Sequence, residues 1–204
     1  MRVIPVSVAE PTTEPVTLAQ IAGQVRAEGG DGETAMLMGY LVAARQQVEN
    51  VLGFPVSSRA VRATFYHWPD QCWGDWPMRQ RDIEIGMPVN SIDAIAYTAA
   101  DGTTQPWVAG PTGYVARVSP GKVTHIRPAY GLDWPILGND PVITLDATAG
   151  WDRTPEAIIQ AICLLAAHFF LNREEVLTGA RIAAVQLPMG VADLLAPYRW
   201  RLVG

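Results

Sequence analysis

Lysine is almost absent from this sequence of 204 residues, in which 15 basic residues face 20 acidic ones. Lys122 is the only lysine, so nearly all the positive charge is carried by arginine. Charged residues make up only 17% of the chain, whereas soluble domains usually have ~25%. With a formal net charge of −5, the chain lacks the clustered cations that general nucleic-acid binding requires, and this argues against that class.

Cysteine and long apolar runs are scarce too. Cys72 and Cys163 are too few for a disulfide scaffold or a zinc site, so we expect free thiols in a reducing compartment. The longest apolar run, 161–171, is too short to span a bilayer. The N-terminus has no signal-peptide pattern. We therefore expect a soluble cytoplasmic chain that does not associate with membranes.

The common nucleotide-binding, metalloprotease and hydrolase motifs are also missing. We therefore expect no enzymatic activity, no catalytic residues, no metal and no cofactor. Apolar residues, in contrast, make up 49% of the chain, and the mean hydropathy is +0.11. A surplus of this kind indicates surface that partners cover.

Apolar spacing predicts two N-terminal helices after an extended arm over residues 1–16. Thr17 and Gln20 form the pattern of a capping box for a first helix, which runs from Leu18 to about Ala27. A second helix is predicted from Glu33 to Leu52, with one narrow apolar seam for a neighbouring helix. The seam consists of Leu37, Leu41, Ala44, Val48 and Val51.

From residue 56 onward, short strand-like runs alternate with turn residues and prolines. Asp101-Gly102 lies between two of these runs and predicts a tight hairpin turn. The predicted strands are 60–67, 82–85, 92–98, 105–108, 114–118, 122–126 and 142–148.

Helical patterning returns near residue 154. Thr154 is predicted as the N-cap and Pro155 as the first residue of a helix ending near Asn172. This helix is apolar almost all round and should be the buried central one. A short helix is predicted from Val191 to Ala196.

The layout predicts an α+β fold, a small helical bundle with an inserted β-rich region and extended terminal arms. Its parts are the N-terminal arm 1–16, the helical core 17–55 and 151–196, the β-rich region 56–150, and the C-terminal arm 197–204.

Residues 67–76 form the densest polar and aromatic stretch. As an active site, Cys72 would be the nucleophile, His67 its base and Asp70 the orienting acid. As a metal site, Asp75 would join these three as a ligand. The spacing matches neither kind of motif, and the stretch is more typical of an irregular hairpin tip.

Three tryptophans of this stretch are candidate contacts with a neighbouring subunit or another protein, because interfaces favour aromatic residues. They are Trp68, Trp73 and Trp76. Packing on the chain itself is an alternative, and so is a stacking platform for sugars or bases. A base-stacking site normally needs a cationic groove, and here nearby aspartates offset Arg79 and Arg81.

The sequence surroundings of the two other histidines favour structural roles for them. His168 has a polar neighbour one helical turn away, Asn172, which is typical of a structural residue. His125 lies in a strand-like run without a local acidic partner.

The C-terminal arm carries residue types that anchor interfaces. Its candidate docking residues are Pro197, Tyr198, Arg199, Trp200 and Arg201. The arm either folds back on the β-rich region or docks on another subunit or protein.

Four blocks, in this order, resemble one family. They are Glu-Pro-Val-Thr-Leu-Ala at 14–19, Val-Glu-Asn-Val-Leu-Gly at 48–53, Ala-His-Phe-Phe-Leu-Asn-Arg-Glu at 167–174 and Leu-Leu-Ala-Pro-Tyr-Arg at 194–199. The sequence is similar to the head–tail connector (adaptor) proteins of long-tailed phages, prophages and gene transfer agents. The likeness covers the helical parts at both ends, about half of the chain.

The resemblance implies a structural protein of the virion neck. Such adaptors form a ring, usually a dodecamer, below the portal protein, extend the DNA channel, and give the tail or a stopper ring a place to bind. The C-terminal segment commonly reaches the portal, and double-stranded DNA passes without sequence-specific binding. Alternatives are a tail-completion or other tail-side ring protein, or a ligand-binding β-rich module that uses the Trp68–Trp76 loop.

Overall fold

The computed structural model describes residues 2–3, 7–25, 31–69, 82–87, 89–118, 124–172 and 188–199. The chain divides into two compact units. The β unit comprises Met1–Glu10 and Ser58–Gly150, and the helical unit comprises Pro11–Ser57 and Trp151–Gly204. The mixture of helices and sheets confirms the predicted α+β fold class.

The elements follow one another along the chain in a β–α–β–α order. The helices are α1 (Leu18–Val25), α2 (Asp31–Leu52), α3 (Glu156–Leu171) and α4 (Met189–Leu195), and a 3-10 turn follows at Ala196–Tyr198. The strands are β1 (Arg2–Val3), β2 (Ser7–Val8), β3 (Arg59–Phe65), β4 (Ile83–Ile85), β5 (Val89–Thr98), β6 (Thr104–Pro106), β7 (Tyr114–Arg117), β8 (Thr124–Pro128) and β9 (Ile143–Ala149).

The β unit contains two sheets. The five-stranded sheet has the order β2-β3-β9-β5-β6, and the four-stranded sheet has the order β1-β4-β8-β7. Among the strand pairs of the described residues, all are antiparallel except β1 with β4. Buried and partly exposed residues alternate along β3 and β9, so each contributes one face to the core.

The hairpin predicted at Asp101-Gly102 joins β5 to β6. The Gly102 amide donates to the Ala99 carbonyl at 2.9 Å, and the Ala99 amide donates to the Thr103 carbonyl at 2.9 Å. Gly102 has a φ of 80°, the left-handed conformation that glycine adopts without a steric penalty. This pattern is the three-residue hairpin loop with glycine in the left-handed position.

In the helical unit, α3 is the central helix and packs against α1, α2 and α4. Its buried face is broad, as predicted for a helix that is apolar almost all round. The α2 seam is confirmed at its first four positions, whereas Leu52 is fully buried and Val51 only partly. Among the described helices, none is long and apolar enough to cross a membrane.

The predicted start of α1 is confirmed by its hydrogen bonds. The Thr17 amide donates to Gln20 Oε1 at 2.8 Å, and the Gln20 amide donates to Thr17 Oγ1 at 3.3 Å. These reciprocal bonds are a capping box, which satisfies amides left over at a helix start.

The predicted N-cap role of Thr154 is wrong. Pro155 occupies the N-cap position, and no side chain caps this helix end. The buried Thr154 hydroxyl instead donates to the Val56 carbonyl at 2.9 Å. It ties the start of α3 to the segment that follows α2.

A buried arginine, which sequence patterning missed, holds three segments of the helical unit together. Arg45 on α2 is 2% exposed. Its guanidinium donates to Glu14 Oε2 and to Glu49 Oε2, each at 2.9 Å. Glu49 Oε1 in turn accepts from the Val56 amide at 3.0 Å. The network links the segment before α1 to α2 and to the turn after it.

We expect Arg45→Ala to lower the free energy of unfolding by about 3 kcal/mol, because it leaves two carboxylates without their buried cation. Chemical denaturation monitored by circular dichroism measures this loss. Gln46→Ala is the matched control on the exposed side of α2 and should change stability by no more than about 0.5 kcal/mol. Equal effects of the two variants would contradict the role given to Arg45.

Candidate interaction surface

A cluster of aromatic side chains forms the centre of the β unit, around Trp68. Its ring is 0% exposed. It stacks on Trp134 with a centroid distance of 4.9 Å and an interplanar angle of 21°. Phe65, Tyr97 and Trp107 surround it at 5.3–6.1 Å. Offset and tilted aromatic pairs at such distances stabilise a core beyond their area burial.

The indole N–H of Trp68 also has a hydrogen-bond partner. Nε1 donates to the Pro135 carbonyl at 2.8 Å. Leaving that buried N–H unsatisfied would cost about 1–3 kcal/mol. The bond and the Trp134 stack therefore attach the segment around residues 134–135 firmly to the core.

The anchored segment belongs to the loop 129–138, which projects a tyrosine into solvent. The Leu132 amide donates to the Ala129 carbonyl at 3.0 Å and closes a β-turn with Gly131 at its third position. Gly131 has a φ of 81°, as a turn of type II requires there. Tyr130 occupies the second position and is 105% exposed, and Ile136 on the same loop is 79% exposed.

A groove of about 480 Å³ lies beside this loop. Its charged lining residues are Asp82, Arg117, Arg127 and Asp133. Its other lining residues are Val115, Pro128, Ala129, Tyr130, Gly131, Leu132 and Trp134. The groove therefore combines charged side chains of both signs with exposed apolar and aromatic surface. Arginine and aromatic residues are enriched at protein interfaces.

Strand pairing places the two arginines together. Val115 pairs directly with Arg127, and Arg117 pairs with His125. Since side chains two residues apart share a face of a strand, Arg117 and Arg127 are diagonal neighbours on one face. Within the described ranges, neither guanidinium forms an ion pair or a side-chain hydrogen bond.

His125 has the acidic neighbours that its local sequence lacks. Its Nδ1 lies 3.6 Å from Asp82 Oδ2 and 3.8 Å from Glu84 Oε1. Glu84 pairs directly with His125 across β4 and β8. The sequence next to His125 holds no acidic residue, as expected, and strand pairing supplies the two carboxylates from a distant segment.

The structure describes only the start of the Trp68–Trp76 loop. Trp68 is wholly buried, so it offers no surface to a neighbour, and the interface hypothesis is kept for Trp73 and Trp76 alone. Both lie outside the described residues, as do Cys72, Asp70 and Asp75. His67 is described and exposed. In the described part of the chain, no group of three or more His, Cys, Asp or Glu residues could hold a metal ion.

The contacts of Cys163 and His168 favour a structural role for both residues. Cys163 is a buried free thiol, and burial raises the pKa of that thiol. The side-chain amide of Asn172 lies 2.9 Å from Nδ1 of His168 and donates to the His168 carbonyl at 2.9 Å. The predicted structural role of His168 agrees with these contacts at the end of α3.

The C-terminal segment begins from a packed position in the helical unit. The Tyr198 ring meets Trp151 edge-on at 6.0 Å and 86°. Trp151 packs in turn on Phe54 at 5.1 Å. Pro197 and Arg199 are exposed, while Trp200 and Arg201 lie outside the described residues.

Sequence reasoning missed the residues that form the groove and its rim. The Ala-Tyr-Gly-Leu stretch at 129–132 carried a turn signal in its glycine, but nothing local marked Tyr130 as its tip. Arg117 and Arg127 gave no signal, because only the β7–β8 register brings them together.

Comparisons with solved structures identify assemblies with related chains. This chain resembles a chain from the neck of an empty GTA particle computed with C6 symmetry (27% identity, TM-score 0.67). The match covers 97% of this chain and 98% of that one. A chain from the virion of a native gene transfer agent (GTA) particle matches over 98% and 96% (27% identity, TM-score 0.65). A chain from the neck of a native GTA particle computed with C12 symmetry matches over 97% and 98% (25% identity, TM-score 0.60).

These matches extend over nearly the whole of each chain and confirm the resemblance drawn from the sequence. No family model matches the chain, and no curated protein matches it.

We expect Trp68→Phe to lower the free energy of unfolding by about 2–4 kcal/mol, because it removes the N–H partner of Pro135 and leaves a void in the cluster. Thermal denaturation measures the loss, and amide hydrogen exchange over 130–136 should accelerate. Tyr130→Ala, at the exposed tip of the same loop, is the control and should be nearly neutral in stability. Unchanged exchange in Trp68→Phe would show that the loop is held by other contacts.

Proposed function

We propose that this chain is a structural protein of the neck of a gene transfer agent or a related tailed particle. The observation that carries the proposal is its full-length likeness to chains of GTA necks and of a GTA virion. The groove and its exposed rim fit this function, because a protein that acts through contacts needs anchor residues on a rigid support. The same comparison supports a structural, non-enzymatic role.

Within the neck, we propose a ring adaptor between the portal and the tail or stopper. The related chains come from assemblies computed with sixfold and twelvefold symmetry. A cyclic ring is closed by heterologous contacts, in which each copy uses two different surfaces. An acidic wall would let double-stranded DNA pass through the ring, since the chain has a net charge of −5 and DNA affinity comes from clustered cations.

For the portal contact, we propose the C-terminal residues that the sequence singled out. Tyr198 anchors the start of the segment on Trp151, which limits the entropy lost when the residues beyond it bind. Arg199 is exposed and, in the described part of the chain, has no ion pair. Trp200 and Arg201 follow in the sequence and complete the set together with Pro197.

For the contact with a tail-side partner, we propose Trp73 and Trp76. Their residue type and their place in the stretch 67–76 support this, since aromatic residues anchor interfaces. The alternative of a tail-side ring protein uses the same surfaces, and the test below distinguishes the two.

Deleting residues 200–204 should weaken binding to portal rings at least about tenfold, because tryptophan and arginine anchors typically contribute more than 1 kcal/mol each. The deletion leaves the Tyr198–Trp151 contact intact, so circular dichroism and the melting temperature should stay near wild type. Electron microscopy of the protein mixed with portal rings from the same source measures the binding and its symmetry.

Arg153→Ala is the matched control, since Arg153 is an exposed arginine of the same unit. It should bind portal rings like the wild type. Ring density that appears on portals at the same protein concentrations for the deletion variant as for the wild type would refute the docking role of 200–204. Bare portals at saturating wild-type protein would refute the portal-side adaptor and favour the tail-side ring.

A further inference from the structure

We propose that the groove beside loop 129–138 is a contact site for a carboxylate-bearing surface of a neighbouring copy of this chain. Arg117 and Arg127 would donate to carboxylate oxygens of the neighbour, while Tyr130 and Leu132 pack against its apolar surface. The inference rests on the proposed ring and assigns one of its two contact surfaces.

The two arginines differ in their environment from Arg45, Arg62 and Arg153. Arg45, Arg62 and Arg153 each lie within 4.0 Å of a carboxylate. Arg117 and Arg127 have no such partner within the described ranges, although they are neighbours on one face. Two adjacent like charges repel each other, so an external carboxylate between them gains from both.

A second copy of the chain supplies the complementary charge. The chain has 20 acidic residues against 15 basic ones, so the neighbour's surface is on average acidic. Arginine binds carboxylates through paired N–H groups in a fixed geometry, which sets the register of a contact as well as its strength.

The loop that forms the aromatic rim of the groove is fixed in position before any contact forms. The Trp68–Pro135 hydrogen bond, the Trp134 stack and the Gly131 turn fix the loop that carries Tyr130. A rigid, exposed tyrosine beside arginines matches the residue types that dominate interface energetics. Since the loop is already ordered, little conformational entropy is lost when the contact forms.

The position of the groove also favours a protein neighbour over DNA. The groove is bordered by β7, the last strand of its sheet, and edge strands are natural sites of contact between chains. Asp82 and Asp133 line the same groove as the two arginines. A groove that holds charges of both signs matches a protein surface with carboxylates and cations better than it matches the uniformly anionic backbone of DNA.

Charge reversal at both arginines tests the site in the full-length chain. Arg117→Glu/Arg127→Glu should raise the concentration needed for self-association at least tenfold in sedimentation velocity. On portal rings it should leave isolated copies or incomplete arcs where the wild type forms closed rings. Arg153→Glu reverses an exposed charge in the other unit and should behave like the wild type. Complete rings of the double variant would overturn the proposal.

Cross-linking identifies the partner directly and takes advantage of the scarcity of lysine. Arg117→Lys adds a second lysine to a chain that otherwise has Lys122 alone. A carbodiimide should then join Lys at 117 to a carboxylate of another copy, which mixed ¹⁴N- and ¹⁵N-labelled protein reveals by mass spectrometry. A link only within one chain, or none from position 117 under conditions where the wild type self-associates, would overturn the proposal.

Different results would refute the adaptor role and the groove contact. Bare portals with wild-type protein refute the adaptor role, while self-association without portals still decides the groove contact. If wild-type protein does not self-associate, with or without portals, the groove proposal is overturned as well. Closed rings of the double variant that bind a double-stranded DNA oligonucleotide more weakly would assign the groove to DNA instead.

Discussion

One buried N–H group constrains the whole β unit. The Trp68 indole lies in an apolar core, where an unpaired donor is costly, and the Pro135 carbonyl is its partner. The cluster around it reaches the five-stranded sheet through Phe65 and the four-stranded sheet through Trp107 and Tyr114. The Trp68–Pro135 hydrogen bond therefore joins the core of both sheets to the loop that carries the exposed Tyr130.

The elements that the sequence predicted well are those whose causes are local. The capping box at Thr17, the hairpin at Gly102 and most of the α2 seam depend on residues within a few positions of each other. The two errors of the helical unit have distant causes. Thr154 bonds to Val56, and buried Arg45 bonds to Glu14, and neither partner is near in sequence.

The candidate surface was less predictable for the same reason. Tryptophan is favoured both in cores and at interfaces, so composition drew attention to Trp68 without deciding between the two, and burial decided for the core. Arg117, Arg127 and the carboxylates near His125 meet only through strand register. The resemblance to connector proteins could be drawn from the sequence because its blocks are short contiguous stretches in or beside the helices and do not depend on contacts between distant residues.

The helical unit is interrupted in sequence by most of the β unit, and this has a consequence for synthesis. α1 and α2 leave the ribosome long before α3, their central packing partner, has been translated. At about 5–20 residues per second, the roughly 100 intervening residues take on the order of 5–20 s. During that interval the α2 seam is uncovered and open to chaperones, while the β-strands between can already pair. The strands of the β unit can therefore begin to pair before translation of α3 allows the helical unit to complete its core.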